Sequence, residues 1–251
     1  MDSTMSRKKS ESGGIGETIR TVIYAVLIAV VLRTFAFEPF SIPSGSMLPT
    51  LLVGDYLFVS KFSYGYSRYS LPWGLPLFEG RVLGSEPERG DVAVFKLPSD
   101  NSTDYIKRIV GLPGDRIQMI EGVLHINGEP VELQRVGETV ISASGGFPVR
   151  VTEYIETLPN GRSHRIWERG DNMPFDNTRV YEVPPGYYFA MGDNRDSSQD
   201  SRSAQVGFVP YENLVGRAEI VFFSHDGSAR FWEFWRWPNS IRFNRILDRI
   251  E

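Results

Sequence analysis

Thr21 to Leu32 (TVIYAVLIAVVL) is an uncharged, strongly apolar run close to the N-terminus, and it constrains this chain more than any other feature. A helix over it is apolar on every face, whereas a helix on a soluble domain carries an apolar stripe. At ~1.5 Å per residue it spans only about 18 Å, short of the roughly 30 Å hydrocarbon core of a bilayer. Extending it from Ile15 to Phe40 gives the length and sets Glu17, Arg20, Arg33 and Glu38 at or near the interfaces, the arginines snorkelling. Three readings compete: a buried soluble helix, a cleaved signal peptide with Thr34-Phe35-Ala36 as a poor cleavage site, and a retained membrane anchor. The anchor, over residues 17–38, is favoured. Arg7, Lys8, Lys9 and Arg20 before the run outnumber the lone Arg33 just after it, which predicts a cytoplasmic N-terminus and the remaining chain on the other side. Residues 1–16, polar and with Gly13-Gly14, read as a disordered cytoplasmic tail.

Beyond the anchor the pattern changes to short β-rich runs broken by Gly and Pro. Tyr56–Val59, Asp91–Phe95, Arg116–Ile120, Val123–Ile126 and Ile220–Phe223 read as strands. Asn127-Gly128 signals a tight turn between Leu124-His125-Ile126 and Val131-Glu132-Leu133. The expected fold is mostly β, with antiparallel sheets or an open barrel-like domain over residues 39–230. Residues 62–80, rich in aromatics, Pro and Gly, read either as a surface loop or as a loop at the membrane face. Residues 231–251 begin with a Trp-rich stretch and continue with Ile241, Phe243, Ile246, Leu247 and Ile250 as an approximate helical stripe. An amphipathic helix there could lie in a lipid interface or pack on the β domain. Asp171-Asn172-Met173-Pro174 reads as a turn.

Several function classes are excluded or disfavoured. A net charge of -4 argues against a nucleic-acid partner. The absence of cysteine excludes disulfides, thiol catalysis and thiolate metal sites. His125, His164 and His225 share no metal-ligand spacing, so neither a metal nor another cofactor is expected.

The candidate chemistry lies in three segments: Ser44-Gly45-Ser46-Met47-Leu48-Pro49-Thr50, Asp104-Tyr105-Ile106-Lys107-Arg108, and Gly192 to Arg202 (GDNRDSSQDSR). A serine hydroxyl needs a base within hydrogen-bond reach. Lysine can serve once burial lowers its pKa from about 10.4. If Tyr105 to Val110 is a strand, Lys107 shares a face with Tyr105 and Ile109, an unusual apolar setting for an amine. Gly45 and Gly192 permit unusual torsions or close packing, and Pro43 and Pro49 restrain the chain around Ser46.

These segments resemble the motifs of bacterial type I signal peptidases, in order, from about Phe37 to Arg217. The resemblance implies a mostly β fold with a smaller insert domain between about Gln118 and Tyr187. It implies Ser46 as nucleophile and Lys107 as general base, with the Ser44 hydroxyl joining the Ser46 N–H in an oxyanion hole. Ser198 corresponds to the serine that orients the lysine amine, and Asp200 and Arg202 to a supporting pair behind the site. Phe40, Ile42, Pro43, Met47, Leu51, Tyr105 and Ile106 match positions that receive small side chains at the first and third residues before the cut. The substrate would lie extended between Ile42–Ser44 and Asp104–Ile106.

The expected function is therefore a membrane-bound serine endopeptidase that removes signal peptides from exported preproteins after small-x-small sites. Its partners would be preproteins and the lipid bilayer, and its place a bacterial inner membrane, with the catalytic domain on the outer face. A self-cleaving repressor-type protease also uses Ser and Lys, but the apolar segment opposes it. Lysine at position 107 opposes a histidine-based relative of the endoplasmic reticulum. A non-catalytic, membrane-tethered peptide-binding β-domain would leave the Ser46 and Lys107 combination without purpose. Two departures stand out: a single apolar segment precedes the serine, where some relatives have two, and residues 118–187 carry no recognisable motif.

Overall fold

The computed structural model describes residues 15–71, 74, 78–142, 147–230 and 232–250. Most of the expected cytoplasmic tail, with Arg7, Lys8 and Lys9, lies outside them. The apolar run forms a helix over Ile15–Phe35, with Glu17 in its first turn and Arg33 in its last, the arrangement a helix dipole favours. Its stretch Gly16–Phe35 is 20 residues long, about 30 Å at ~1.5 Å per residue, enough to cross a bilayer core. Ile19, Tyr24, Ile28 and Leu32, on different faces, are all at least half exposed. That removes the reading of a buried soluble helix. The helix foot is tied to the domain: Arg33 and Lys61 both pair with Glu38, Lys61 N–H donates to Ala36 O at 3.0 Å, and Tyr66 Oη donates to Phe35 O at 2.6 Å. The last contact brings part of the 62–80 loop, its short strand Tyr66–Ser67, against the helix foot. Residues 72, 73 and 75–77 of that loop lie outside the described residues.

The domain is mostly antiparallel β. Its main sheet runs in the order Phe37–Ser41, Asp55–Ser60, Leu214–Ser224, Val92–Lys96, Asp104–Gly111, Tyr187–Met191 and Val209–Pro210. The central strands are buried almost continuously rather than in alternation, because both faces are covered. Successive side chains of one strand point to opposite faces. Val92 and Val94 accordingly join a core with Ile42, Met47, Leu51 and Leu57, while Ala93 and Phe95 join another with Ile109, Tyr188 and Leu214.

Between Gly111 and Tyr187 the chain leaves this sheet and builds two more. In the first, Arg116–Ile120 pairs with Val123–Ile126 and with Tyr181–Glu182. Asn127 and Gly128 have φ of 58° and 91°, the double positive φ of a type I′ turn. That turn fixes the register so that Ile126 faces Glu129 and His125 faces Pro130. The expected partner, Val131-Glu132-Leu133, lies too far along, and only Val131 N–H reaches back, to Leu124 O. The chain then enters the second sheet, Glu132–Ser142, Pro148–Thr157 and Ser163–Glu168. The segment around Asn172, with φ of 66°, is a turn closed by Met173 N–H on Asp176.

The C-terminal stripe does not form the expected amphipathic helix. A four-residue helix, Trp237–Ser240, and a single turn, Phe243–Arg245, are followed by a strand, Asp248–Arg249, on the edge of Leu214–Ser224. The stripe is overridden by tertiary contacts. Arg245 binds the buried Asp55 carboxylate at 2.7 Å, Ile241 bridges to His225, and Leu247 takes a φ of 68°, which a helix does not allow.

Candidate active site

Ser46 sits in a single helical turn, Gly45–Met47, preceded by Ser44 in extended conformation. Met47 and Leu51, both fully buried, anchor the turn to the core. Asn194 holds it from the far side. Its N–H donates to Ser46 O at 3.1 Å and its Nδ2 to Gly45 O at 2.9 Å. Gly192 is where close packing requires glycine: an added Cβ would lie 2.2 Å from Ser198 Oγ and 2.5 Å from Ser46 O. Gly45 has no such reason, since a Cβ there would meet only the movable Leu48 side chain.

Lys107, on the strand Asp104–Gly111, is 4% exposed. Its Nζ lies 2.8 Å from Ser46 Oγ and donates to Ile106 O at 2.8 Å. Among the described residues no carboxylate pairs with it. Burial pushes its pKa down to about 8, against the raising fields of Asp200 and Asp193. At that value about a tenth of the amine is already neutral at pH 7. The Ser46 hydroxyl and the Lys107 amine are thus in contact, with the amine's pKa lowered by desolvation.

Behind this pair lies a buried polar network. Arg108 donates twice to Asp193, at 2.9 and 2.8 Å, and once to Gly90 O. Thr50 Oγ1 donates to the same Asp193 carboxylate. Arg195 is bidentate to Glu156, and His164 Nε2 lies 3.3 Å from Glu156 and 3.8 Å from Asp193. Burial alone would raise the Glu156 carboxyl, but Arg195 and His164 hold it well below the usual range. Burial and the nearby Arg108 hold the His164 imidazole below its usual value, against the raising fields of Glu156 and Asp193. Trp167 N–H donates to Asp193 O at 2.9 Å, tying the second inserted sheet to the same loop.

The expected residues come together with some corrections. Ser44 is exposed to the cleft, and its hydroxyl does not cap the Ser46 turn. Ser198 Oγ is buried against Gly192 and makes no hydrogen bond to Lys107. Asp200 and Arg202 form a bidentate pair at 2.9 and 2.8 Å, and Asp200 accepts from Gly192 N–H at 3.0 Å. A cleft of about 680 Å³ passes Ser46 and Lys107. Phe40, Ile42, Pro43, Tyr105 and Ile106 line it. Met47 and Leu51 do not; they belong to the core beneath, because the turn directs both inward.

Sequence reading assigned no role to Asp193, Asn194 or Arg195, although their motif was in view. It also left Arg108 and Thr50 without partners. Glu156 and His164 carried no signal at all, since strand alternation fixes only a face and not what that face meets.

A family model described as "Signal peptidase, peptidase S26" matches residues 15–223. Signal peptidase I of Rickettsia typhi (strain ATCC VR-144 / Wilmington) is 42% identical over 246 residues, covering 90% of each chain. Signal peptidase I of Rickettsia canadensis (strain McKiel) is 42% identical over 250 residues, covering 92% of each. A solved signal peptidase I from Enterococcus faecalis V583 is 25% identical and covers 53% of this chain and 97% of that one, at a TM-score of 0.31.

Proposed function

This chain belongs to the signal peptidase family, peptidase S26, a family of serine endopeptidases, and from that premise we propose that it removes signal peptides from exported preproteins by a Ser46–Lys107 dyad. The observation that carries the reading is the 2.8 Å contact between Lys107 Nζ and Ser46 Oγ, with the amine enclosed and unpaired by any carboxylate.

Neutral Lys107 takes the proton of Ser46 as Oγ attacks the scissile carbonyl carbon. The oxyanion is met by the Ser46 N–H and the Ser44 hydroxyl, donors worth several kcal/mol when aimed at developing charge. The lysine ammonium then protonates the leaving amine as the C–N bond breaks, leaving the signal peptide as an ester on Ser46. Water, deprotonated by the same amine, cleaves that ester and frees Ser46. Asn194 keeps the nucleophile turn in place.

The shallow apolar cleft along Phe40, Ile42, Tyr105 and Ile106 supports specificity for small side chains at the first and third positions before the cut. The basic residues that precede the helix support a cytoplasmic N-terminus and a catalytic domain on the outer face of a bacterial inner membrane. The test is incubation of the purified protein with a preprotein bearing an Ala-x-Ala site. Wild type releases the signal peptide and Ser46→Ala does not; release by Ser46→Ala would end the proposal.

A further inference from the structure

A second cavity, of about 660 Å³, opens where the cleft reaches the foot of the N-terminal helix. Phe40 and Asp104 line both spaces, so the two adjoin. Its walls are unlike those of the cleft. Arg33, Lys61, Arg68 and Lys96 line it, against Glu38 and Asp104. Glu38 is shared by two cations, Arg33 and the nearly buried Lys61, at 2.9 and 2.8 Å. Lys96 pairs with Asp104 at 2.8 Å, and Arg68 is 3.7 Å from Glu212 outside the cavity. The lining therefore carries more positive than negative charge.

The ladder fixes what an extended peptide would meet here. Val94 stands opposite Ile106, and Lys96 opposite Asp104, two residues farther toward the helix foot. A strand repeats on one face every two residues, an advance of about 6.6 Å. Ile106 is one of the walls matched to the first and third residues before the cut, and the third is the one farther from Ser46, toward the helix foot. A peptide that continues extended then presents its fifth residue to Lys96 and Asp104, on the same face as the third. The direction is also set, because the apolar part of a signal peptide precedes its cleavage site and lies in the bilayer with the helix.

We propose that the cavity at the helix foot is a charge-selective subsite for the fifth residue before the scissile bond, favouring an acidic side chain over a basic one. Lys96 is the selecting group, since it stands at the junction with the cleft and is partly exposed. The subsite rests on the reading that a signal peptide runs extended through the cleft. It adds a polar selection beyond the small-x-small rule, matched to the point where a substrate passes from lipid to the catalytic groove.

Binding to the full-length Ser46→Ala chain in neutral detergent tests the subsite apart from catalysis. Synthetic peptides with an Ala-x-Ala site would carry Glu, Gln or Lys at the fifth position before the cut. The Glu peptide is expected to bind about fivefold tighter than the Lys peptide, the scale of one or two partly exposed ion pairs, with the ratio shrinking at high salt. Adding Lys96→Glu should abolish or reverse the preference while the Gln peptide still binds. Equal affinity for all three peptides, or a Glu preference that Lys96→Glu leaves unchanged, would overturn the subsite. Cleavage of the Gln peptide by the Ser46 protein reports separately on the peptidase reading.

Discussion

Lys107 and Arg108 are neighbours on one strand and both are enclosed, at 4% and 1% exposure. Around Arg108 lie the Asp193 carboxylate, Gly90 O and Thr50, and His164 links Asp193 to the Arg195–Glu156 pair. Around Lys107 lie a hydroxyl and a carbonyl, with no carboxylate in contact. Burial is common to the two; the partner differs. A paired, hydrogen-bonded cation keeps its charge in the interior, while an unpaired one is pushed toward its neutral form. One region thus compensates its buried cation with a carboxylate, and the other leaves an enclosed amine with its pKa lowered by burial.

The most direct way to break that comparison is to remove the base. Lys107→Ala and Ser46→Ala should each lower preprotein cleavage by at least about a thousandfold in a folded protein, since nucleophile and base act as a unit. Near-normal turnover by folded Lys107→Ala would show that the enclosed amine is not the base.

On the other side, Asp193→Ala leaves Arg108 buried without its carboxylate. An uncompensated buried charge costs about 3–5 kcal/mol. Urea unfolding in detergent should show a loss of that size, and a loss below about 1 kcal/mol would mean that the pair does not hold the region. Ser44→Ala acts on neither charge. It should lower kcat by about tenfold to a thousandfold with KM little changed; a raised KM at unchanged kcat would make Ser44 a binding residue.

Two smaller effects sharpen the contrast through Lys107 itself. Its pKa in the folded protein, about 8, is below its unfolded value of about 10.4. Below pH 8 the amine is charged in both states and the folded protein bears the full desolvation cost. Between pH 8 and 10.4 the unfolded state binds more protons, so stability rises with pH through that window. Lys107→Met should therefore stabilise the protein at pH 7 by about 1–3 kcal/mol while abolishing cleavage, whereas replacing Arg108 should only destabilise. Finally, kcat/KM should climb about tenfold per pH unit up to about 8 and then level. A flat profile between pH 6 and 8 would remove a titrating lysine from the mechanism. His164 is unsuited as a control for that limb, because its replacement disturbs the Glu156 and Asp193 network.

Much of the fold was legible in the chain. Thr21–Leu32 is apolar on every face, a pattern that fits a membrane span better than a striped helix on a soluble domain. Arg116–Ile120 and Val123–Ile126 were bounded by their turn residues, and the structure has both strands at those limits. The C-terminal stripe misled because periodicity competes with tertiary contacts, and there Asp55 captured Arg245. The resemblance of the three ordered polar segments to signal-peptidase motifs pointed to Ser46 and Lys107. Local sequence therefore determined the apolar N-terminal helix and the mostly β character, and it singled out Ser46 and Lys107. Only the tertiary structure decided that Lys107 lies against Ser46, that Met47 and Leu51 are core rather than cleft, and that Glu156 and His164 stand behind Asp193. Those residues are far apart in the chain, and a buried amine or carboxylate is given its charge by whatever the folded chain places beside it, which no local pattern records.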